Sequence, residues 1–145
     1  MESKRIISVL APYHIDGNIL LIFLQKRSKD MERLPNYFGF FGGGAEEGEN
    51  PEETLKREIE EELNFIIKDH LFFKKYEFSR KIMSVYHLKV EDNFEKQIEI
   101  REGDYGKYFS KEEVLNEPKI IEGDKMILRD LFNELETKHN ISNIN

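Results

Sequence analysis

Gly42-Gly43-Gly44-Ala45-Glu46-Glu47-Gly48-Glu49-Asn50-Pro51-Glu52-Glu53-Thr54-Leu55-Lys56-Arg57-Glu58-Ile59-Glu60-Glu61-Glu62-Leu63-Asn64-Phe65 is the stretch on which the reading of this chain turns. It is a glycine run followed by a helix whose two ends are written locally. Asn50 can cap, Pro51 suits the first helical position and Glu53 completes a capping box. Leu55, Ile59 and Leu63 recur every four residues and give one apolar face. Asn64 tolerates the left-handed conformation that ends helices. On the helical wheel Glu58 and Glu62 lie about 40° apart, with Glu61 next to them. Such a like-charge pair costs a bare helix roughly 0.2–0.5 kcal/mol. Leu55 falls beside Glu62, so the carboxylates flank the buried face, an arrangement that helix stability alone would not select. Clustered carboxylates suit Mg²⁺ or Mn²⁺, which prefer hard oxygen ligands. A solvated, Glu-rich helix face is the alternative reading. The glycines before the helix let backbone approach a ligand closely, and such a loop can offer a carbonyl to a metal.

Outside this stretch the charge is balanced. The chain has 145 residues and a formal net charge of −7. Glu46 to Glu62 holds nine acids against two bases, Lys56 and Arg57, and so carries the whole imbalance. Net negative charge argues against a nucleic acid polymer as partner. The 39% hydrophobic content supports a single domain over 1–145 with one core. The longest apolar run, Ile19 to Leu24, is too short for a bilayer span. The absence of cysteine excludes disulfides, zinc–thiolate sites and thiol catalysis. The first residues do not read as a secretory signal, so the expected setting is cytoplasmic, away from membranes.

Working outward, Ile6 to Leu10 and Ile19 to Gln25 read as strands of a hairpin turning at Asp16-Gly17-Asn18. Ser28 to Pro35 is a polar loop, and Phe38 to Phe41 is a short aromatic segment that Gly42-Gly43-Gly44 breaks. Leu71 to Phe78 and Ile82 to Val90 are strand-like and joined across Ser79-Arg80, and Tyr105 to Phe109 is a short strand. Ser110 with Glu113 forms a second capping box that opens a short helix. Asp124 to Leu135 has helical apolar spacing, and the polar tail over 138–145 is expected to fray. Strands alternate with helices, while the hairpins exclude a purely parallel sheet. The fold class is therefore α/β, a mixed sheet with helices on its faces.

Gly43-x5-Glu49-x7-Arg57-Glu58-Ile59-x-Glu61-Glu62-x-Asn64-Phe65 resembles the signature of the Nudix hydrolases. Eight of nine defined positions match over 23 of 145 residues. Asn64 stands where the family has Gly, and Phe41 where many members have Pro. The resemblance implies an α/β/α sandwich that cleaves a nucleoside diphosphate linked to a further group X, using water and Mg²⁺ or Mn²⁺. By position, Glu58, Glu61 and Glu62 would be metal-site carboxylates and the Gly42 carbonyl a further ligand. In some members the residue matching Glu58 is instead the base on water. Arg57, which belongs with the catalytic group, looks like the partner of Glu49 in bracing the helix against the loop. Gly43 and Gly44 would lie against substrate. Many members dimerise, so a homodimer is possible.

Glu102-Gly103-x-x-Gly106-x-Tyr108-Phe109-Ser110 resembles a segment of triphosphate-cleaving members in which a loop Glu joins the metal site. An ordinary acidic turn is the alternative, with Glu99 and Asp104 as rival acids, and the Gly103 and Gly106 pair suggests a mobile, tightly turning loop. Arg27 can hold a phosphate bidentately or simply close a strand toward solvent. Phe38, Phe40, Phe78 and Tyr86 can stack a base or fill the core. The expected activity is hydrolysis of a (deoxy)nucleoside triphosphate to the monophosphate plus pyrophosphate. The alternatives are an ADP-ribose or nucleotide-sugar pyrophosphatase and a non-catalytic nucleotide-binding module. Some ADP-ribose-cleaving members carry a proline where this chain has Lys81, which favours the triphosphate.

Overall fold

A computed structural model describes residues 3–141. The elements run β1 (Arg5–Asp16), β2 (Ile19–Lys26), β3 (Phe38–Gly39), β4 (Phe41–Gly44), α1 (Pro51–Leu63), β5 (Leu71–Glu77), β6 (Lys81–Lys89), α2 (Phe94–Gln97), β7 (Tyr105–Phe109), α3 (Lys111–Asn116) and α4 (Glu122–Lys138). The main sheet path is β3-β2-β1-β6-β5, with β4 paired to β1 and β7 to β2. Among the described residues only β1 and β6 pair in parallel, so the sheet is mixed as expected. α1 packs on one face through Leu55, Ile59 and Leu63, all fully buried against Leu10, Phe41 and Tyr86. Burying each such side chain contributes about 1.5–3 kcal/mol. α4 covers the other face through Ile127, Leu128, Leu131, Phe132 and Leu135. The period-two alternation of β1 decides the sides: Ile7 and Val9 face α4, and Leu10 faces α1.

One topological feature makes the site. β1 pairs with β2 only over Tyr13–Asp16, and toward its start it pairs with β4 instead, Ile7–Leu10 against Phe41–Gly44. β3 meanwhile pairs with the end of β2. The segment from Phe38 to Gly44 thus bridges two diverging strands and opens a cleft between them.

Several local expectations give way to tertiary structure. The glycine run does not break the aromatic segment, because Gly42, Gly43 and Gly44 themselves form β4 against β1. Gly42 sits at φ +139, and a Cβ there would run into the Ser8 carbonyl oxygen, with the Val9 Cα only 2.8 Å away. Glycine is needed here for close strand packing. β1 continues through Pro12 to Asp16, since Pro12 falls where pairing on that edge passes from β4 to β2. Gly106 lies inside β7, where the Phe23 ring fills the space a side chain would take. Part of the supposed frayed tail is docked: Lys138 ends α4, the His139 ring bonds the Tyr13 hydroxyl at 2.8 Å, and Ile141 packs on the core. Residues 142–145 of that tail lie outside the described residues. The one-turn α2 went unforeseen, and its Asn93 makes no side-chain cap to announce it.

Candidate active site

The helix expected from the sequence forms with its ends where they were read. Asn50 accepts from the Glu53 N–H at 2.8 Å, Glu53 returns the bond to the Asn50 N–H at 2.9 Å, and Asn64 closes the helix at φ 50. Arg57 then locks α1 to the glycine strand. Its guanidinium donates to both Glu49 oxygens at 2.7 and 3.0 Å, to the Gly44 carbonyl at 2.9 Å and to Glu58 at 3.0 Å. The paired guanidinium holds the Glu49 carboxyl at about 2. With its donors taken up inside the protein, Arg57 stands as a positioning residue. It aims Glu58.

The Glu58 carboxylate lies flat against the glycine strand. A Cβ on Gly43 would stand 2.5 Å from its carboxyl carbon and 2.6 and 2.7 Å from its oxygens. Glu62, one turn further, is buried and accepts from the Gly42 N–H at 3.0 Å and from the Gln25 side chain at 3.3 Å. Burial first, then repulsion from Glu102 and Glu58, pushes its carboxyl up to about 9. Burial likewise raises Glu58, against the opposing pull of Arg57. Glu61 is turned outward beside Arg57, its oxygens 3.4 Å from that guanidinium.

Glu102 is the acid of its loop that meets the others. It lines the same cavity as Glu58 and repels both Glu58 and Glu62. Glu99 is exposed and taken by Asn64 and Arg101, and Asp104 pairs with Lys26 at 3.3 Å. The loop is pinned. The Arg101 N–H donates to the Glu62 carbonyl at 2.8 Å, and Gln25 donates to the Glu102 carbonyl at 3.1 Å. Gln25 thus ties Glu62 to the Glu102 loop from a buried position on β2. Sequence reasoning took it as the last residue of a strand, although a lone amide after the apolar run Ile19–Leu24 was a signal.

The cavity holds about 350 Å³. Glu58, Glu102, Gly42 and Gly43 line one end, with Arg27 and Phe40 on the walls. Arg27 donates to the Arg33 carbonyl at 2.9 Å, which fixes its side chain at this rim. Phe38 is mostly buried but reaches the cavity, whereas Tyr86 belongs to the core beneath α1. Phe78 packs with the cluster around Ile7 and Val9. The floor is Ile7, Val9 and Met83. Asp124, in the first turn of α4, also reaches the cavity and was not singled out from the sequence. Burial outweighs the nearby Lys81 and lifts its carboxyl from 3.8 to about 6. A raised acid makes the folded state lose stability as pH climbs through 3.8 to 6. That loss is at most about 3 kcal/mol and persists above. Asp124→Asn is therefore expected to raise Tm at pH 7–8 and to leave it nearly unchanged near pH 3.5. Equal gains at both pH values would mean that the carboxyl is not strained by burial.

The donor set fits a hard divalent cation. All its side-chain donors are carboxylate oxygens, and burial together with mutual repulsion makes Glu58 and Glu62 costly to ionise without a counter-charge. Among the described residues no three acidic side chains already stand in ligand geometry, since Glu61 faces outward and Glu102 rides on an exposed loop.

A mixed sheet between helical layers, with a capped Glu helix aimed across a glycine strand into a cleft, defines a class of hydrolase that acts on acid anhydrides. The NUDIX domain family model matches residues 4–131, and the chain belongs to this family of pyrophosphohydrolases acting on nucleoside diphosphates linked to a further group. No curated protein sequence matches the chain. Among solved structures, a MutT/nudix family protein from Listeria innocua superposes with TM-score 0.78 at 18% identity, covering 98% of this chain and 100% of its own. The NUDIX domain of Shewanella oneidensis NrtR, complexed with ADP ribose, gives 0.75 at 15% identity over 93% and 90%. A C. elegans Ap4A hydrolase in a binary complex gives 0.72 at 15% identity over 90% and 98%. Among the described residues no helix is long and apolar enough to cross a membrane.

Proposed function

We propose that this chain hydrolyses a (deoxy)nucleoside triphosphate to the monophosphate and pyrophosphate, as a cytoplasmic enzyme using Mg²⁺ or Mn²⁺. The observation that carries the reading is the single cleft in which Glu58 and Glu102 share a cavity with Arg27, an apolar floor and the buried Asp124. The carboxylates and the arginine suit the phosphate chain, and the floor with Phe40 suits the flat face of a base. Asp124 offers the base a polar partner inside that apolar site.

Glu58, Glu61, Glu62, Glu102 and the Gly42 carbonyl would hold the metal, which when bound neutralises phosphate charge and makes water nucleophilic near neutral pH. Arg27 binds a phosphate oxygen. Gly43 leaves the strand bare where the Glu58 carboxylate lies at the edge of the cavity, which Gly44 does not line. Where Glu58 is not a ligand, this carboxylate, raised by burial and fixed by Arg57, would instead take the proton of the attacking water while the water oxygen bonds to phosphorus and the anhydride P–O bond breaks. Glu102 completes the acidic end from the opposite loop.

The test is a panel of nucleoside triphosphates and ADP-ribose with product identification. Pyrophosphate release from a triphosphate supports the reading; turnover of ADP-ribose alone overturns it. The loop assignment has its own check. Glu102→Gln is expected to lower kcat or weaken activation by metal about tenfold or more, with Tm nearly unchanged. Glu99→Gln is expected to do much less. A silent Glu102→Gln beside a damaging Asp104→Asn would move the role to the other acid.

A further inference from the structure

We infer that the cleft has a second anion-binding compartment. Its preferred substrate would then be a nucleoside diphosphate derivative carrying another phosphate group apart from the anhydride that is cut. The inference rests on the reading above and deepens it. A second cavity of about 320 Å³ is lined by Ser3, Arg5, Arg33, Ser79, Arg80 and Lys81. Arg5, Arg33 and Lys81 also line the main cavity, so the two compartments share a wall.

No close ion pair takes up the charges there, although Lys81 lies over the Phe78 ring at 5.5 Å and acts on Asp124. Lys4, Lys26, Arg57 and Lys111 each have a carboxylate partner. Among the described residues Arg5, Arg33, Arg80 and Lys81 have none within 4.0 Å, in a chain of net charge −7. Isolated arginines at strand ends are usually just solvated. Four cations converging on one concavity beside a phosphoanhydride site are not that case. The lining side chains supply donors and no carboxylate, which selects for an anion.

Strand register sets the spacing. Arg5 stands opposite Lys81, Ile7 opposite Met83 and Val9 opposite Val85, all on the α4 face of the sheet. Gly43 pairs with Ser8 on the neighbouring strand. Along β1 Arg5 is three residues, about 10 Å, from Ser8, the partner of Gly43, and it lies on the opposite face of the sheet from Glu58. Between them lies the apolar floor. A ligand with one phosphate group at the carboxylates and a second beyond that floor fits this layout. The second phosphate can be a monoester on the sugar or belong to the group X.

The test is equilibrium binding of adenosine 3′,5′-bisphosphate against AMP in Mg²⁺, which reads the compartment without turnover. The wild-type protein is expected to bind the bisphosphate about tenfold tighter, less so at high salt. The variant Arg80→Gln, at the cation that lines the second compartment and not the main cavity, is expected to lose most of that preference while keeping its affinity for AMP, its Tm and its triphosphate turnover. The double variant Arg33→Gln/Lys81→Gln, at residues that also line the main cavity, is expected to lose the preference as well and is read by binding alone. Adenosine 2′,5′-bisphosphate, and ADP-ribose with and without a phosphate on its terminal ribose, tell a sugar phosphate from one on X. Equal affinity throughout these pairs, or a preference that survives in both variants, overturns the inference while leaving triphosphate hydrolysis standing. A bisphosphate preference without triphosphate turnover has the opposite meaning: the compartment stands and the proposed reaction falls.

Discussion

Glu58→Gln and Glu62→Gln are each expected to lower kcat by about 10²–10⁴-fold, equivalent to roughly 3–5 kcal/mol of barrier, while the folded state holds or gains stability. The two halves of this expectation have one cause. Glu58 and Glu62 sit in a partly dry site, raised by burial and by neighbouring carboxylates, so their charges cost the apo fold stability. Gln keeps the shape and leaves an oxygen for the Gly42 N–H, but it removes the charge that a cation needs. Steady-state kinetics with the true substrate and melting in chelator read the two halves separately. Near-native rates in both variants would reduce the helix to a solvated acidic face.

The second large effect falls on a residue with no side chain. Gly43→Ala is expected to lower kcat/KM by about 10²-fold, because its Cβ would sit where the Glu58 carboxylate now lies. Either that carboxylate moves or β4 shifts from β1, and both misplace a group that Arg57 otherwise holds still. Gly44→Ala is the control. A Cβ there meets only the Ile6 carbonyl oxygen at 3.8 Å, an ordinary contact, so near-native activity is expected. If the two alanines behave alike, the close approach of Glu58 to Gly43 has no part in the chemistry.

What the sequence disclosed follows the range of the forces involved. The starts of α1 and α3 were legible because a capping box is closed within four residues, and the end of α1 because Asn64 tolerates the left-handed conformation. The Arg57–Glu49 brace came through the resemblance of the box, and the bidentate geometry bears it out. The Gly42–Gly44 run was misread because glycine breaks strands by local preference, whereas here contact with Ser8 and Val9 on β1 demands it. Gln25 and Asp124 stayed hidden for a related reason. Each looks ordinary in its own segment and becomes special only when buried beside residues far away in the chain. Glu102 was preferred to Glu99 and Asp104 through the resemblance, and of the three it is the acid that lines the cavity with Glu58.

The most direct measurement is phosphorus NMR of nucleoside triphosphate turnover in Mg²⁺, before and after chelation. We expect monophosphate and pyrophosphate as the products, complete arrest in excess EDTA, and recovery when Mg²⁺ or Mn²⁺ is restored. Undiminished turnover with metal shown absent, or orthophosphate as the first product, would contradict metal-assisted cleavage at the site that Glu58, Glu62 and Glu102 form.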